Sequence, residues 1–309
     1  MGNNMIETQN KRNTFGFSTN LLKIIAMICM TFDHVGYMME SYFTRVDIVQ
    51  VAYVFRIIGR ITYPLIIFVL IEGLMHTHNI KKYISRLGIG AFVIYLGITL
   101  GQVILKENFG YEGNIFLSLF LCAVAYYFMF YSKKRWLVVL PILAFLISFG
   151  FIVLFAYKFY LISDFAIFPF LNGLFCQYSL LTPALFFGIL GSYKLYDHLI
   201  AKRLKNDDLV IAFKQTPDYQ KSKNAVASIL IAIIAVICYL ITYLSIYEGG
   251  FERINDCVLQ TYMLISTIFI LFYSGKVGYK NKITQYGFYI YYPLHMLLIY
   301  LVFWLMFGI

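Results

Sequence analysis

Long, nearly uninterrupted apolar runs separated by short polar segments make up most of this 309-residue chain. The runs are continuous rather than alternating, which favours helices over barrel strands, and most reach the about twenty residues that a helix needs to cross a bilayer. Together with the turn-rich segments between them, they predict an all-α, polytopic integral membrane bundle of about nine transmembrane helices, with a range of eight to ten. The predicted spans are 20–40, 50–73, 83–105, 114–131, 136–156, 176–195, 226–247, 257–274 and 285–307. The count is uncertain by one because the aromatic loop 157–175 could re-enter the membrane.

Composition excludes a water-soluble protein. The chain is 61% hydrophobic and 13% charged, whereas a soluble domain carries about a quarter charged residues. Only helices or closed barrels satisfy backbone polar groups in lipid, so the apolar runs must lie in a bilayer as helices.

The basic surplus is best interpreted as an orientation signal. When the connecting segments are assigned alternately to two sides, 19 of the 25 Lys and Arg residues lie on the side of the N-terminus and only four on the other. The positive-inside rule therefore places the N-terminus in the cytoplasm. We expect a cytoplasmic polar tail at 1–19, a single transmembrane domain at 20–309 with a cytoplasmic polar loop at about 196–225, and no nucleic-acid partner.

Five ionisable residues lie inside predicted spans, where a charge costs at least ~2.5–3.5 kcal/mol and marks a functional site by default. Asp33 and His34 are roughly 20 Å from the cytoplasmic end of the first span, by the rise of a helix. Arg56 and Arg60 are about 9 and 15 Å from the outer end of the second span, and His295 is roughly 16 Å into the last. All five therefore fall in one layer between the midplane and the outer third of the membrane.

Helix geometry refines this layer. Arg56 and Arg60 are four residues apart and share a face, as do Asp33 and Tyr37. Asp33 and His34 are adjacent and point about 100° apart, so Asp33 cannot orient that imidazole. We expect Asp33 to neutralise one of the arginines while His34 faces a cavity. The alternative is that Asp33 and Arg60 only hold two helices together.

Tyr291 and His295 share a face of the last helix, where Pro293 frees a backbone carbonyl. A metal site built from His34, Asp33 and His295 is disfavoured because no single helix offers a ligand spacing. The cysteines show no such spacing either, so no metal is expected.

A second polar cluster follows the second span. Two interpretations explain this cluster equally well. It could be an ordinary cytoplasmic loop, or its basic residues could form an anion-binding mouth for a phosphate-bearing cofactor. The cluster consists of Glu72, His76, His78, Lys81, Lys82 and Arg86.

Three segments resemble the TraX family. The stretch from Leu22 to Gly36, with its Asp-His-Val-Gly motif, resembles the first helix of that family. The run from Gly59-Arg60 through Pro64 to Arg86-Leu87 resembles its second helix and following loop, and Tyr292-Pro293-Leu294-His295 resembles its last helix. Together the three segments cover roughly the first hundred and the last twenty-five residues.

The resemblance implies a reaction. The family is named for the protein that N-terminally acetylates conjugative pilin, and it belongs to a broader group of transmembrane acyltransferases. It implies an enzyme of the bacterial cytoplasmic (inner) membrane that takes an acetyl or other acyl group from cytoplasmic acyl-CoA and delivers it to an amine or hydroxyl acceptor. In that group a membrane-embedded His of the first helix is catalytic, and this corresponds to His34.

The roles that follow combine this resemblance with the chemistry of the residues. His34 is expected to deprotonate the acceptor or to carry the acyl group, and Arg60 or Tyr291 to stabilise the oxyanion. The expected catalytic residues are His34, Asp33, Arg60 and His295; the substrate-binding residues are Arg56, Tyr37, Tyr291 and Glu72; and the residues that bind acetyl-CoA are His76, Lys81, Lys82 and Arg86.

Two other classes of function stay open. Intramembrane Asp, His and Arg residues also form proton and substrate sites in transporters, although no pair of Gly- or Pro-broken helices is apparent in the two halves of the chain. The third possible function is that of a non-catalytic scaffold. The sequence does not select the acceptor, which could be a peptide N-terminus, a surface glycan, a lipid or a small amine. It does not determine the oligomeric state either, and a homodimer is possible.

Overall fold

The protein is a bundle of helices. The computed structural model describes residues 16–105, 113–157, 173–247, 254–279 and 282–308. Within these ranges the β pairing consists of two isolated bridges, Phe17–Tyr273 and Asn114–Cys176. The predicted all-α fold class is confirmed.

Twelve α-helices are described, and short 3₁₀ turns at Arg135–Val138 and Tyr262–Ile265 extend two of them. They are α1 Thr19–Tyr42, α2 Val46–Gly59, α3 Thr62–His76, α4 Ile80–Leu105, α5 Ile115–Phe130, α6 Val139–Tyr157, α7 Leu181–Leu204, α8 Asp207–Lys214, α9 Pro217–Tyr247, α10 Ile254–Thr261, α11 Ser266–Leu271 and α12 Lys282–Phe307.

Most of these helices are those of a multi-pass membrane protein. Six described segments are long and apolar enough to cross a bilayer, and two shorter apolar helices accompany them. Helix α7 is long, but its second half carries charges such as Lys194, Asp197 and Lys202. The predicted count of nine spans and the cytoplasmic position of the N-terminus therefore stay predictions.

The second predicted span, 50–73, is not one continuous helix. It breaks into α2 and α3 at Arg60, whose backbone N–H turns back to the carbonyls of Ile57 and Ile58. The cause is Pro64, which has no N–H to donate to the carbonyl of Arg60 four residues earlier. The break places Arg60 at a bend deep in the bundle, just before α3, which extends about 21 Å from Thr62 to His76.

A non-helical segment, residues 173–180, enters the bundle before α7. Its backbone is satisfied by helix side chains: the Ser118 hydroxyl donates to the carbonyl of Gln177 at 2.8 Å, and the Cys176 N–H donates to the Ser148 hydroxyl at 3.1 Å. Irregular backbone is tolerated at membrane depth only when protein covers it in this way. The predicted span 176–195 therefore begins as a helix only at Leu181. Most of the loop 157–175 lies outside the described residues.

The predicted polar loop 196–225 is largely helical. Helix α7 runs to Leu204 and ends at Lys205, which has a positive φ of 52°. Asn206 then caps α8 by accepting from the N–H groups of Asp208 and Leu209, as its short polar side chain favours. Pro217 occupies the first position of α9, where its missing N–H costs nothing.

The segments that precede α1 and α12, residues 16–20 and 272–279, are joined by a short backbone clamp. The Phe17 N–H donates to Phe272 O at 2.8 Å, and the Ser274 N–H donates back to Phe17 O at 2.9 Å. Because α1 and α12 both start beside this clamp, positions about 22 Å along α1 and about 20 Å along α12 lie at similar depth. Those positions are His34 and His295. Residues 1–15 of the predicted tail lie outside the described residues.

A buried ion pair fixes the far end of α3. Lys223 Nζ of α9 lies 3.2 Å from Glu72 Oε1, and both side chains are at most 4% exposed. The Lys223 ammonium also lies 4.4 Å from the centroid of the Tyr193 ring, on α7. The pair therefore joins three helices at the end of the bundle that also holds the clamp.

Removing one partner of this pair should destabilise the protein strongly. Lys223→Met leaves the Glu72 carboxylate buried without a cation, and we expect a loss of about 3–5 kcal/mol in the free energy of unfolding. The double variant Glu72→Gln/Lys223→Met should recover most of that loss. Thermal unfolding of the purified protein in detergent measures both.

Lys221→Met is the matched control, because Lys221 lies on the same helix in an exposed pair with Asp218, and such pairs contribute little. Equal unfolding temperatures for Lys223→Met and Lys221→Met would show that the buried pair does not stabilise the bundle.

Candidate functional site

Two histidines from opposite ends of the sequence meet inside the bundle. His34 Nδ1 of α1 lies 2.6 Å from His295 Nε2 of α12. The ring planes differ by 27° and the centroids are 4.8 Å apart. That separation is close to the N···N distance plus two ring radii, so the rings meet edge to edge through a hydrogen bond. We call this pair the histidine dyad.

The dyad is held from the side of α12. His295 is 4% exposed, and its Nδ1 lies 2.9 Å from the carbonyl oxygen of Tyr291. The Tyr291 ring stacks on the imidazole with centroids 5.0 Å apart and planes within 3°. The Tyr291 hydroxyl in turn hydrogen-bonds the hydroxyl of Thr31 on α1. Position and orientation of His295 are therefore fixed by its own helix and by α1.

Beside the dyad lies a cluster of paired charges. Asp33 Oδ1 is 3.4 Å from Arg56 Nε and 3.3 Å from Arg60 Nη2. Arg56 Nη1 also lies 3.7 Å from Glu40 Oε2. The two carboxylates balance the two guanidiniums, which burial would otherwise make costly. Asp33 thus contacts both arginines rather than the single partner that the sequence left open.

The arginines are further held by aromatic residues. Arg60 Nη1 donates to the Tyr178 hydroxyl at 2.9 Å, and the Arg56 guanidinium lies 5.2 Å from the centroid of the Tyr37 ring. Both guanidiniums are within electrostatic range of His34. The histidine dyad therefore lies next to two paired and fixed guanidiniums.

Two glycines of the motifs allow this packing. A Cβ at Gly36 would lie 2.7 Å from the carbonyl oxygen of Ala52, and a Cβ at Gly59 would overlap the Asp33 side chain. Only glycine lets α1 and α2 approach closely enough for Asp33 to reach both arginines. This accounts for the glycines in the Asp-His-Val-Gly and Gly-Arg motifs.

An apolar groove of about 400 Å³ runs along the neighbouring face of α1. Its walls come from α1, α2 and α12, and its polar groups are the bonded hydroxyls of Thr31 and Tyr291. The lining residues are Ile28, Thr31, Phe32, Val35, Phe55 and Tyr291. Tyr291 separates the groove from the imidazole of His295, on which it stacks.

The remaining predicted site residues lie away from the dyad. Glu72 is engaged by Lys223, and His76 Nδ1 lies 2.8 Å from the carbonyl oxygen of Glu72. Lys81 and Lys82 are exposed at the start of α4, and Arg86 follows one turn later, half-buried. This basic mouth is one helix length, about 21 Å, from the bend at Arg60. Among the described residues, no cluster of three or more His, Cys, Asp or Glu residues could hold a metal ion.

Sequence reasoning missed three contributors. Glu40 is seven residues after Asp33 on the same face of α1, so helical spacing could have found it. Tyr178 reaches Arg60 from a non-helical segment 118 residues away, and nothing local indicates that contact. Lys223 lies in what the sequence presents as a solvated polar loop.

Comparison with known proteins agrees with the motifs. The family model described as TraX protein matches residues 18–190, which is more than half of the chain. This range includes α1, the broken span and the basic mouth, and it ends before the helix of His295.

A curated relative is the probable fimbrial assembly protein FimC, serogroup H1, of Dichelobacter nodosus, 39% identical over 72 residues. The match spans 23% of this chain and 27% of that protein, so the chain covers about a quarter of its relative. None of the solved structures matches this chain. The family match nevertheless covers most of the site, and the chain belongs to the TraX family.

Proposed function

We propose that this protein is an acyltransferase of the bacterial inner membrane that moves an acetyl or other acyl group from cytoplasmic acyl-CoA to an amine or hydroxyl acceptor in or across the membrane. One observation carries the proposal: His34 is hydrogen-bonded to His295 at mid-span, next to a charge cluster that is already neutralised. A polar pair of that kind in a bilayer is a functional site by default.

The chemistry requires a base of near-neutral strength. The thioester is already activated, whereas the acceptor must lose a proton as its nitrogen or oxygen attacks the acyl carbon. His34 takes that proton, the new bond to the acyl carbon forms, the C–S bond breaks, and the CoA thiolate receives the proton from His34. In the covalent alternative, His34 itself accepts the acyl group first and passes it to the acceptor.

The oxyanion of the tetrahedral intermediate needs a fixed donor. Arg60 is the stronger candidate, because Asp33 and Tyr178 each hold it by one hydrogen bond. Tyr291 is the other candidate, and its hydroxyl is bonded to Thr31. Arg56 and Tyr37 pack against each other beside Asp33, and we assign them to acceptor binding.

The donor would enter at the basic mouth. Lys81 and Lys82 are exposed. Their hydrogen bonds with Ser85 and Asn79 use backbone groups, so within the described part of the chain their ammonium groups can bind the CoA phosphates together with Arg86. His76 lies at the same end. The extended arm of CoA would then follow α3 over about 21 Å to the bend at Arg60, beside the dyad. Glu72 supports this end through Lys223 rather than by touching the substrate.

Only the similarity to known proteins favours one class of acceptor over the others. The resemblance to the TraX family favours a pilin-type peptide N-terminus, and a curated relative is described as a fimbrial assembly protein. A surface glycan, a lipid and a small amine are the other acceptors that the chemistry allows.

A second candidate function is transport. It is favoured by the break at Arg60, because interrupted helices near the midplane form substrate sites in transporters. The same dyad would then carry protons rather than assist acyl transfer. Turnover of acyl-CoA separates the two functions.

The decisive test is acyl-CoA turnover by the purified protein. With the protein in nanodiscs and [¹⁴C]acetyl-CoA as substrate, we expect the thioester to be cleaved by hydrolysis or by transfer to added amines. His34→Ala should lower the rate of this cleavage by 10²-fold or more, since general-base catalysis contributes a factor of about 10²–10⁴. His198→Ala, in the charged end of α7, is the matched control and should keep full activity. If the wild-type protein neither binds nor cleaves acetyl-CoA, the proposed enzymatic activity is wrong.

The basic mouth gives a separate test. Lys81→Ala/Lys82→Ala should raise the KM for acetyl-CoA about tenfold and leave kcat unchanged, because phosphate contacts act equally on bound substrate and transition state. With acetyl-pantetheine, which has no phosphates, the variant and the wild type should have the same KM.

Lys133→Ala/Lys134→Ala is the control, since these lysines form another exposed pair, between α5 and α6. An equal rise in KM for both double variants would mean that the mouth contributes only general positive charge.

A further inference from the structure

We infer that His295 is a positioning residue that fixes the tautomer of His34, so that Nε2 of His34 is the atom that accepts the proton of the acceptor. This inference rests on the proposed function for its kinetic consequence. Its structural part, the direction of the hydrogen bond within the dyad, can be tested without any substrate.

The direction starts at a backbone carbonyl. His295 Nδ1 lies 2.9 Å from Tyr291 O. A carbonyl oxygen only accepts, so Nδ1 of His295 must carry a hydrogen. In a neutral imidazole one nitrogen is then the donor and the other the acceptor, so Nε2 of His295 has a lone pair.

That lone pair determines the state of His34. Nε2 of His295 is 2.6 Å from Nδ1 of His34, and the edge-to-edge geometry lets a hydrogen lie between them. This hydrogen must belong to Nδ1 of His34, because Nε2 of His295 has none. His34 is therefore the Nδ1–H tautomer, and its Nε2 has the lone pair that a base needs. In free histidine the opposite tautomer, Nε2–H, is the commoner one.

The charged groups around the dyad keep it neutral at rest. The Asp33 carboxylate next in sequence is held by Arg56 and Arg60, and Glu40 lies on Arg56. Within the described ranges no carboxylate contacts either imidazole. The second imidazole thus occupies the place that a carboxylate takes in Ser-His-Asp triads, where it holds the base in its working tautomer.

The arrangement also moves charge during the reaction. When His34 Nε2 takes the proton of the acceptor, the hydrogen on Nδ1 can pass to His295 Nε2. The positive charge then resides on His295, whose other N–H stays bonded to Tyr291 O. The hydrogen returns along the same bond when Nε2 of His34 protonates the departing thiolate of CoA, so no proton is gained or lost.

Nuclear magnetic resonance tests the tautomer directly. The chain has only five histidines, so protein labelled with [¹⁵N]histidine in nanodiscs gives few signals, and His34→Gln and His295→Gln assign the dyad. We expect the Nδ1–H pattern for both residues and a scalar coupling across the hydrogen bond between His34 Nδ1 and His295 Nε2. An Nε2–H pattern for His34 would overturn the inference.

Two substitutions of His295 separate positioning from simple packing. His295→Phe keeps the ring and the burial but removes the acceptor, and we expect kcat for acetyl-CoA cleavage to fall about 10²-fold with KM unchanged, since a wrong tautomer removes the base. His295→Gln places an amide oxygen near the position of Nε2, so it should stay within about tenfold of the wild type and keep the Nδ1–H signal of His34.

The results distinguish this inference from the proposed function. If His295→Gln is as impaired as His295→Phe while both fold, the tautomer role of His295 is wrong. If the dyad shows the expected tautomers but His34→Ala retains full turnover, the proposed function fails and the hydrogen-bond assignment stands.

Discussion

The neutralisation of charge inside the bilayer is the constraint on which this structure depends. Two arginines of one interrupted span are buried in the bundle. Asp33 Oδ1 accepts a hydrogen bond from Arg60 and forms an ion pair with Arg56. An unpaired guanidinium there would cost several kcal/mol. Glycines at positions 36 and 59 let the two helices approach closely enough for this pairing. The tight contact of α1 with the broken span therefore follows from the need to pair these charges.

The histidine dyad is a consequence of the same arrangement. The arginines contact Asp33 on one face of α1. His34 lies on the neighbouring face and bonds to His295 of α12. The clamp between residues 16–20 and 272–279 starts both helices from one end, which brings His34 and His295 to one depth. The dyad is thus built from backbone pairing at one end and charge pairing in the middle. Neither histidine needs a carboxylate, since the Tyr291 carbonyl sets the hydrogen-bond direction.

The position of the basic mouth is consistent with the acyl-transfer route that we propose. Helix α3 links it to the bend at Arg60, and the Glu72–Lys223 pair fixes its mouth end to α9. In this proposal the donor-binding charges at the start of α4 and the base on α1 lie near opposite ends of α3. The apolar groove beside Tyr291 is lined by α1, α2 and α12.

The sequence by itself determined the helical membrane class and the family motifs, because apolar run length and short motifs are local properties. The depth of the ionisable residues stays a prediction. The sequence also contained the signal for the break at Arg60, in Pro64, and for Glu40, in its spacing from Asp33. The tertiary structure alone decided that His34 bonds His295, that Tyr178 holds Arg60, and that Lys223 leaves the polar loop to pair with Glu72. Those contacts depend on the rotation of each helix about its axis and on which helices are neighbours. Packing across the bundle sets both, and no local pattern of residues encodes either.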